Sequence, residues 1–321
     1  MNFAERMLPT STAYQFRDPG YFVWCGTMLK YNGSYFLLYS RWKQELGFQG
    51  WVTDSEICMA KSDDPLGEFT FVKKLLGHTD PETGERFVYH NPTVMQWNGR
   101  YYLYFMFNRG FGDWWSHRNA QRIGVAHCDD PLGEWTVEPT PVIDISPEGI
   151  DSLMTSNPTV AAAPDGKVLM VYKAVSKYGE LPKGGKVLCG AAESDHPLGP
   201  FRKYGDPIME NPEHDWSVED PFIWWENGQY YSLVKDFQGY FTKTEGRAVA
   251  LFESKDGKKW TPAENTLAFK TELIFADKVI PVSHLERPQL FLEDGKPRVL
   301  LCACKKTMDA TESFNIRIPL R

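Results

Sequence analysis

The chain has 321 residues, of which 42% are apolar and 24% charged, and a formal net charge of −7. That length supports a large core, as one big all-β domain or two ordinary ones, and the acidic balance excludes a broad basic surface for nucleic acid. No run of 18 apolar residues is present, so no membrane span is expected. Six cysteines (Cys25, Cys58, Cys128, Cys189, Cys302, Cys304) lie far apart except for the pair at 302 and 304. They lack zinc-site spacing and read as buried thiols. The opening "MNFAERMLPTST" has neither the basic nor the apolar region of a signal peptide. Two locations stay open: the cytoplasm, or the periplasm or exterior for a chain whose leader has been removed.

Taken in chain order, one unit recurs. "YFVWCGTM" (21–28) runs into the hairpin "YNGSYFLLYS", then "SEI" (55–57) and the turn "SDDPLGEF" (62–69). "HNPTV" (90–94) leads to "WNGRYYLYFM", "QRIGV" (121–125) and "CDDPLGEW" (128–135). "SNPTV" (156–160) leads to "PDGKVLMVYK" and "SDHPLGPF" (194–201), and "VEDPFIW" (218–224) to "ENGQYYSLVK" and the fainter "SKDGKKW" (254–260). "ERPQL" (286–290) leads to "EDGKPRVLLC". The turn glycines Gly33, Gly99, Gly166, Gly228 and Gly295 are 66, 67, 62 and 67 residues apart. Asn-Gly or Asp-Gly between apolar runs is the strongest short-range hairpin signal, and helical periodicity is nearly absent. The expected fold is all-β: a single five-bladed β-propeller of four-stranded antiparallel blades over residues 1–321. Either "AYQFR" (13–17) or "SFNIRIPL" (313–320) completes the last blade.

Registering the blades on their turn glycines aligns Cys25, Asn91, Asn157, Asp220 and Arg287, with a one-residue slip in the third blade. The residues before them are Trp24, His90, Ser156, Glu219 and Glu286, and four of the five pairs precede proline. Proline is tolerated where a strand begins, so these pairs should converge from five directions on the entrance of the central channel, where convergent polar groups mark a candidate site. A second ring comes from the ends of the next strands: Ser40 and Arg41, Lys173, and Lys235 with Asp236. Asn91 and Asn157 read first as residues that cap and orient the backbone at the blade mouth. His117, His127, His196 and His214 read as surface residues. Glu219, Asp220 and Glu286 are costly beside apolar strands unless paired or used.

Carboxylates, cations and aromatics around a funnel fit glycoside hydrolysis, in which one acid holds a proton and another stays ionised. The blade starts, the "NG-YYL" hairpins and the "SDDPLGEF" motifs resemble the five-bladed glycosidases of families 43, 62 and 117. The set "YFVWCGTM", "YSRW", "SEI", "HNPTV", "SNPTV", "VEDPFIW", "VKD" and "ERPQL" more closely resembles a family-43-like branch, over about residues 14 to 305. The resemblance implies an exo-acting glycosidase acting on an oligosaccharide. Family 43 places its base in blade 1 and its acid in blade 3, where this chain has Cys25 and Ser156-Asn157. Family 117 relies on late-blade residues including a histidine, which points to His284. The expected catalytic set is therefore Glu219, Asp220 and Glu286, with Asp18, Glu56 and Asp151 as candidate bases. Trp24, Arg41, His90, Asn91, Asn157, Lys173, Lys235, Asp236, His284 and Arg287 would bind substrate. No cofactor is required, and no metal ligand is assigned; a divalent ion such as Ca²⁺ in the channel is compatible with the carboxylates. A phosphorylase, a uronide lyase or a non-catalytic carbohydrate-binding propeller are the alternatives.

Overall fold

In the computed structural model, which describes residues 1–110 and 113–321, five antiparallel sheets surround one axis. Each blade's inner strand comes first in its unit: Tyr21–Tyr31, Arg86–Trp97, Met154–Ala162, Val218–Glu226 and His284–Glu293. Each pairs with the following strand through the hairpin marked by its glycine. Gly33, Gly99, Gly228 and Gly295 have φ between +72° and +81°, and the Asn or Asp before each is also left-handed. Two consecutive positive-φ residues are what a two-residue hairpin turn demands. Blade 3 differs: Asp165 is not among the left-handed residues, and the turn closes from Ala163 N to Lys167 O with Gly166 N on Ala163 O. This longer loop is the physical cause of the one-residue slip.

The near-copies "SDDPLGEF", "CDDPLGEW" and "SDHPLGPF" are turns from the third strand toward the outer one. In the first two, the second acid accepts a backbone N–H two residues on, Asp64 from Leu66 and Asp130 from Leu132, both at 2.8 Å. His196 does the same for Leu198 through its ring nitrogen, and Asp256 for Lys258. The repeat thus preserves a side-chain-capped turn.

Five apolar layers fill the gaps between consecutive blades. Leu38 and Ile57 share one layer with Leu103 and Phe105, Val125 one with Met170, Val171 one with Val234, Leu233 one with Leu300, and Leu37 one with Leu301. Because each sheet is covered on both faces, neighbouring residues such as Leu37 and Leu38 are both buried, and strands read as continuous apolar runs. Both candidate closing segments serve blade 5: Phe314–Pro319 is its third strand and Gln15–Phe16 its outer one, with Gln15 opposite Ile316. The chain ends are thereby tied together. All six cysteines are buried and free. No helix among the described residues is long and apolar enough to cross a membrane.

Candidate active site

Every inner strand carries a bulge at the same place. The registers break at Trp24/Gly26, His90/Thr93, Ser156/Thr159, Glu219/Phe222 and Glu286/Gln289. Cys25, Asn91, Asn157, Asp220 and Arg287 sit there with φ of 24°, 56°, 49°, 57° and 53°. A bulge suits these positions because the proline that follows four of them has no N–H for the ladder. It also turns consecutive side chains in different directions.

The five left-handed residues meet on the axis. Cys25 Sγ donates to Asn91 Oδ1 at 3.0 Å, Asn91 Nδ2 to Asn157 Oδ1 at 2.6 Å, and Asn157 Nδ2 to Asp220 Oδ1 at 2.7 Å. Arg287 closes the circle, with Nη1 3.6 Å from Asp220 Oδ1 and Nη2 directed at the Asn91 carbonyl. All five are at most 5% exposed. The ring stops the channel, leaving a cavity of about 880 Å³ on the hairpin side, lined by residues such as Val94, Val160 and Leu290.

On the other side of this floor, Lys235 organises the charge. Its Nζ lies 2.7 Å from Glu219, 3.2 Å from Glu286 and 3.3 Å from Asp220. Lys173 also bonds Glu219, and Arg247 holds Glu286 at 2.9 Å. Burial disfavours the charged Glu219 carboxylate, but Lys173 and Lys235 outweigh it and hold that carboxyl well below the usual range. Burial pushes the Asp220 carboxyl up against the pull of Lys235. Burial also opposes the Lys235 charge, yet the three acids raise its pKa.

Aromatic rings form the opposite wall. Trp24 packs on Phe48 at 5.1 Å and on His284 at 5.9 Å, and Trp51 stacks on His90 at 5.1 Å. Burial and the cations Arg247, Lys235 and Lys305 bring His284 down to about 4. Burial and Arg287 hold His90 well below its ordinary value. Both rings are neutral at neutral pH.

The structure thus gathers Trp24, His90, Asn91, Asn157, Lys173, Glu219, Asp220, Lys235, His284, Glu286 and Arg287 around the axis. Asp18, Glu56 and Arg41 lie elsewhere, in a cluster of their own where Arg41 bonds Asp18 at 2.7 Å and Glu56 at 2.8 Å under the Tyr21 and Phe71 rings. Asp151 is buried against Tyr172 and Lys203. Asp236 accepts the backbone N–H groups of Tyr240, Phe241 and Thr242, fixing the next loop. His117, expected at the surface, is buried with Nδ1 2.7 Å from Asn108. Among the described residues no group of His, Cys, Asp and Glu is arranged to hold a metal ion, and the axial carboxylates are taken up by Lys and Arg nitrogens. Sequence reasoning missed Arg247, Arg118, Lys305, Phe48 and Trp51, which come from connections, short helices or strand ends outside the aligned columns.

A stopped propeller channel with a buried carboxylate pair on its floor defines a glycosidase-type propeller. The family described as glycosyl hydrolases family 32 N-terminal domain matches residues 78–315, from the start of blade 2 into the third strand of blade 5, and this chain belongs to it. Among solved structures it is similar to Zg3597, a family 117 glycoside hydrolase from the marine bacterium Zobellia galactanivorans, at 19% identity and TM-score 0.69, covering 100% of this chain and 92% of that one. BT0996, in a complex with RGII, matches at 17% identity and TM-score 0.69, over 98% of this chain and 92% of that one. The arabinanase Arb43A of Bacillus subtilis matches at 17% and 0.59, over 92% of each. No curated protein sequence matches the chain.

Proposed function

We propose that this glycosidase removes sugars from the end of an oligosaccharide, with Glu219 and Glu286 as its catalytic pair. The observation that carries this reading is the Lys235 ammonium shared by the two carboxylates. Laid end to end, its contacts of 2.7 and 3.2 Å span less than the roughly 6.5–9.5 Å an inverting pair needs for its water, and approach the roughly 5–5.5 Å of a retaining pair. The ring closes the site at its floor, which suits a terminal sugar seated end-on.

The roles follow from the partners. Glu219, held ionised by two buried lysines, attacks the anomeric carbon. Glu286 has Arg247 as one of its two partners, with a side chain 36% exposed at the mouth. A sugar seated on the floor displaces Arg247 and brings its glycosidic oxygen against Glu286, the general acid of the pair. Glu286 then gives its proton to the departing glycosidic oxygen, and the bond from that oxygen to the anomeric carbon breaks. In the second step Glu286 takes a proton from water, whose oxygen displaces Glu219 from the sugar. Asp220, locked between Asn157 and Arg287, positions the floor rather than reacting. The pair is tested with Glu286→Gln and Glu219→Gln. Glu286→Gln should lose roughly 10²–10⁴-fold on unactivated glycosides and far less on aryl glycosides with good leaving groups. Glu219→Gln should fail on both, and proton NMR of the first product should show the anomeric configuration kept. Full turnover by both variants would overturn the assignment.

A further inference from the structure

We infer that the sugar this site takes carries an anionic group, a uronate carboxylate, received by the guanidinium of Arg118. The inference rests on the glycosidase reading above and adds the substrate class. Arg118 lies in the last turn of the short helix Trp114–Asn119, between the second and third strands of blade 2. It is 5% exposed, and its Nη1 donates only to neutral acceptors, Asn119 Oδ1 and the Lys183 carbonyl, each at 2.8 Å. Among the described residues it has no ion-pair partner. A buried guanidinium without a counter-charge is costly. Its helix borders the site, since Trp114 meets Trp51 edge-on at 6.2 Å and Trp51 stacks on His90; burial lowers the Arg118 pKa, and Glu219 is the acid whose field opposes that. Glu219 is already taken by Lys173 and Lys235.

The rest of the funnel leans the same way. Lys305, 3% exposed, bonds the Met308 carbonyl and lies 4.9 Å over the Phe48 ring, and the acid that acts on it is Asp309. Lys173, Lys235 and Arg247 pair with two carboxylates, Glu219 and Glu286, while Arg118 and Lys305 have no ion pair among the described residues; Asp220 and Arg287 offset each other in the floor. Even with Asp309 counted, positive charge is in excess. This excess sits in a chain of net charge −7, so it is a local feature and not a general one. A cationic cleft in an acidic protein concentrates anionic ligands. The planar fork of arginine suits a carboxylate held by two parallel bonds.

The test compares kcat/KM for a uronide-ended oligosaccharide, its carboxyl-reduced neutral counterpart and a sulfated counterpart. The uronide should be preferred over the neutral form by about tenfold or more, the size of one charge-assisted hydrogen bond. Arg118→Gln should bring that ratio close to one, and Arg118→Lys should restore part of it. KM of the unmodified enzyme for the uronide should also rise with NaCl while KM for the neutral form holds, a readout independent of whether a variant folds. Equal turnover of uronide and neutral forms would overturn the inference and leave the glycosidase reading standing. Turnover of the sulfated form alone would overturn the uronate assignment. Failure to cleave any acidic or neutral glycan would sink both.

Discussion

Blades 1 and 2 and blades 4 and 5 bring the same backbone to the same axis and put different chemistry on it. On the first side the bulge pairs are Trp24-Cys25 and His90-Asn91, backed by Ser40 and Met106 as their strand partners. They are joined by neutral hydrogen bonds and ring contacts. On the second side the pairs are Glu219-Asp220 and Glu286-Arg287, with Lys235 bridging both. Blade 3 stands between, supplying Asn157 to the ring and Lys173 to Glu219. The repeat therefore supplies a geometry, five left-handed bulges around one axis, and leaves the function to whichever residues fill it. One side becomes an aromatic wall and the other an ionic one.

The sharpest way to break this comparison is to cut equivalent strand positions on the two sides. Lys235→Met leaves three buried carboxylates without their shared cation and should destabilise the fold by about 3–5 kcal/mol, as removal of one partner from a buried ionic network does. Ser40→Ala, at the register position of blade 1, removes the acceptor of the Asn91 N–H and should cost about 1–3 kcal/mol. Urea unfolding of the two variants measures the gap. Equal losses would show that the charged side is no more tightly coupled than the neutral one.

How much of this was legible before the structure depends on the physics of each element. The hairpins were, because Asn-Gly and Asp-Gly select one turn geometry wherever they fall between apolar runs. The bulge column was legible too, since proline after the bulge residue marks it in four blades. The second ring was only half legible because strand parity decides which neighbour faces the axis. Ser40, Lys173 and Lys235 pair with Trp24, Ser156 and Glu219 and share their level. Arg41 and Asp236 are one residue further along, so their side chains leave on the other face, Arg41 toward Asp18 and Asp236 toward its own loop. Arg118 and Arg247 come from connections of different length in each blade, where no register exists to align them.

The next largest effect concerns acid. His284 at about 4 and His90 well below its ordinary value are neutral in the fold. Once unfolded, both take up protons near pH 6.5. As the pH falls below about 6.5 the unfolded chain binds more protons than the native one, so stability is lost from there downward, through about pH 4 for His284. For His284 the loss is on the order of 3 kcal/mol. Glu219 adds to it at lower pH, because its folded pKa is depressed and its contribution fades as the pH drops through that value. The urea midpoint should therefore fall between pH 6.5 and 4, and His284→Gln should flatten that slope by about one proton. An unchanged slope would mean that the aromatic wall does not keep this ring neutral.

The smallest effect belongs to the weakest link of the ring. Cys25 stands where blades 2 and 3 have asparagine and blade 4 aspartate, and its thiol, raised to about 11 chiefly by burial, joins the circle only through Asn91 and Ser40. A thiol is a weak donor, and Asn91 keeps its Nδ2 bond to Asn157 and its backbone bond to Ser40 when that donor is gone. Cys25→Ala should then lower stability by no more than about 1 kcal/mol, less than Ser40→Ala and several-fold less than Lys235→Met. A larger loss would place the tension of the ring at the neutral blades, where φ of 24° is the least comfortable of the five, and would reverse the order of the two sides.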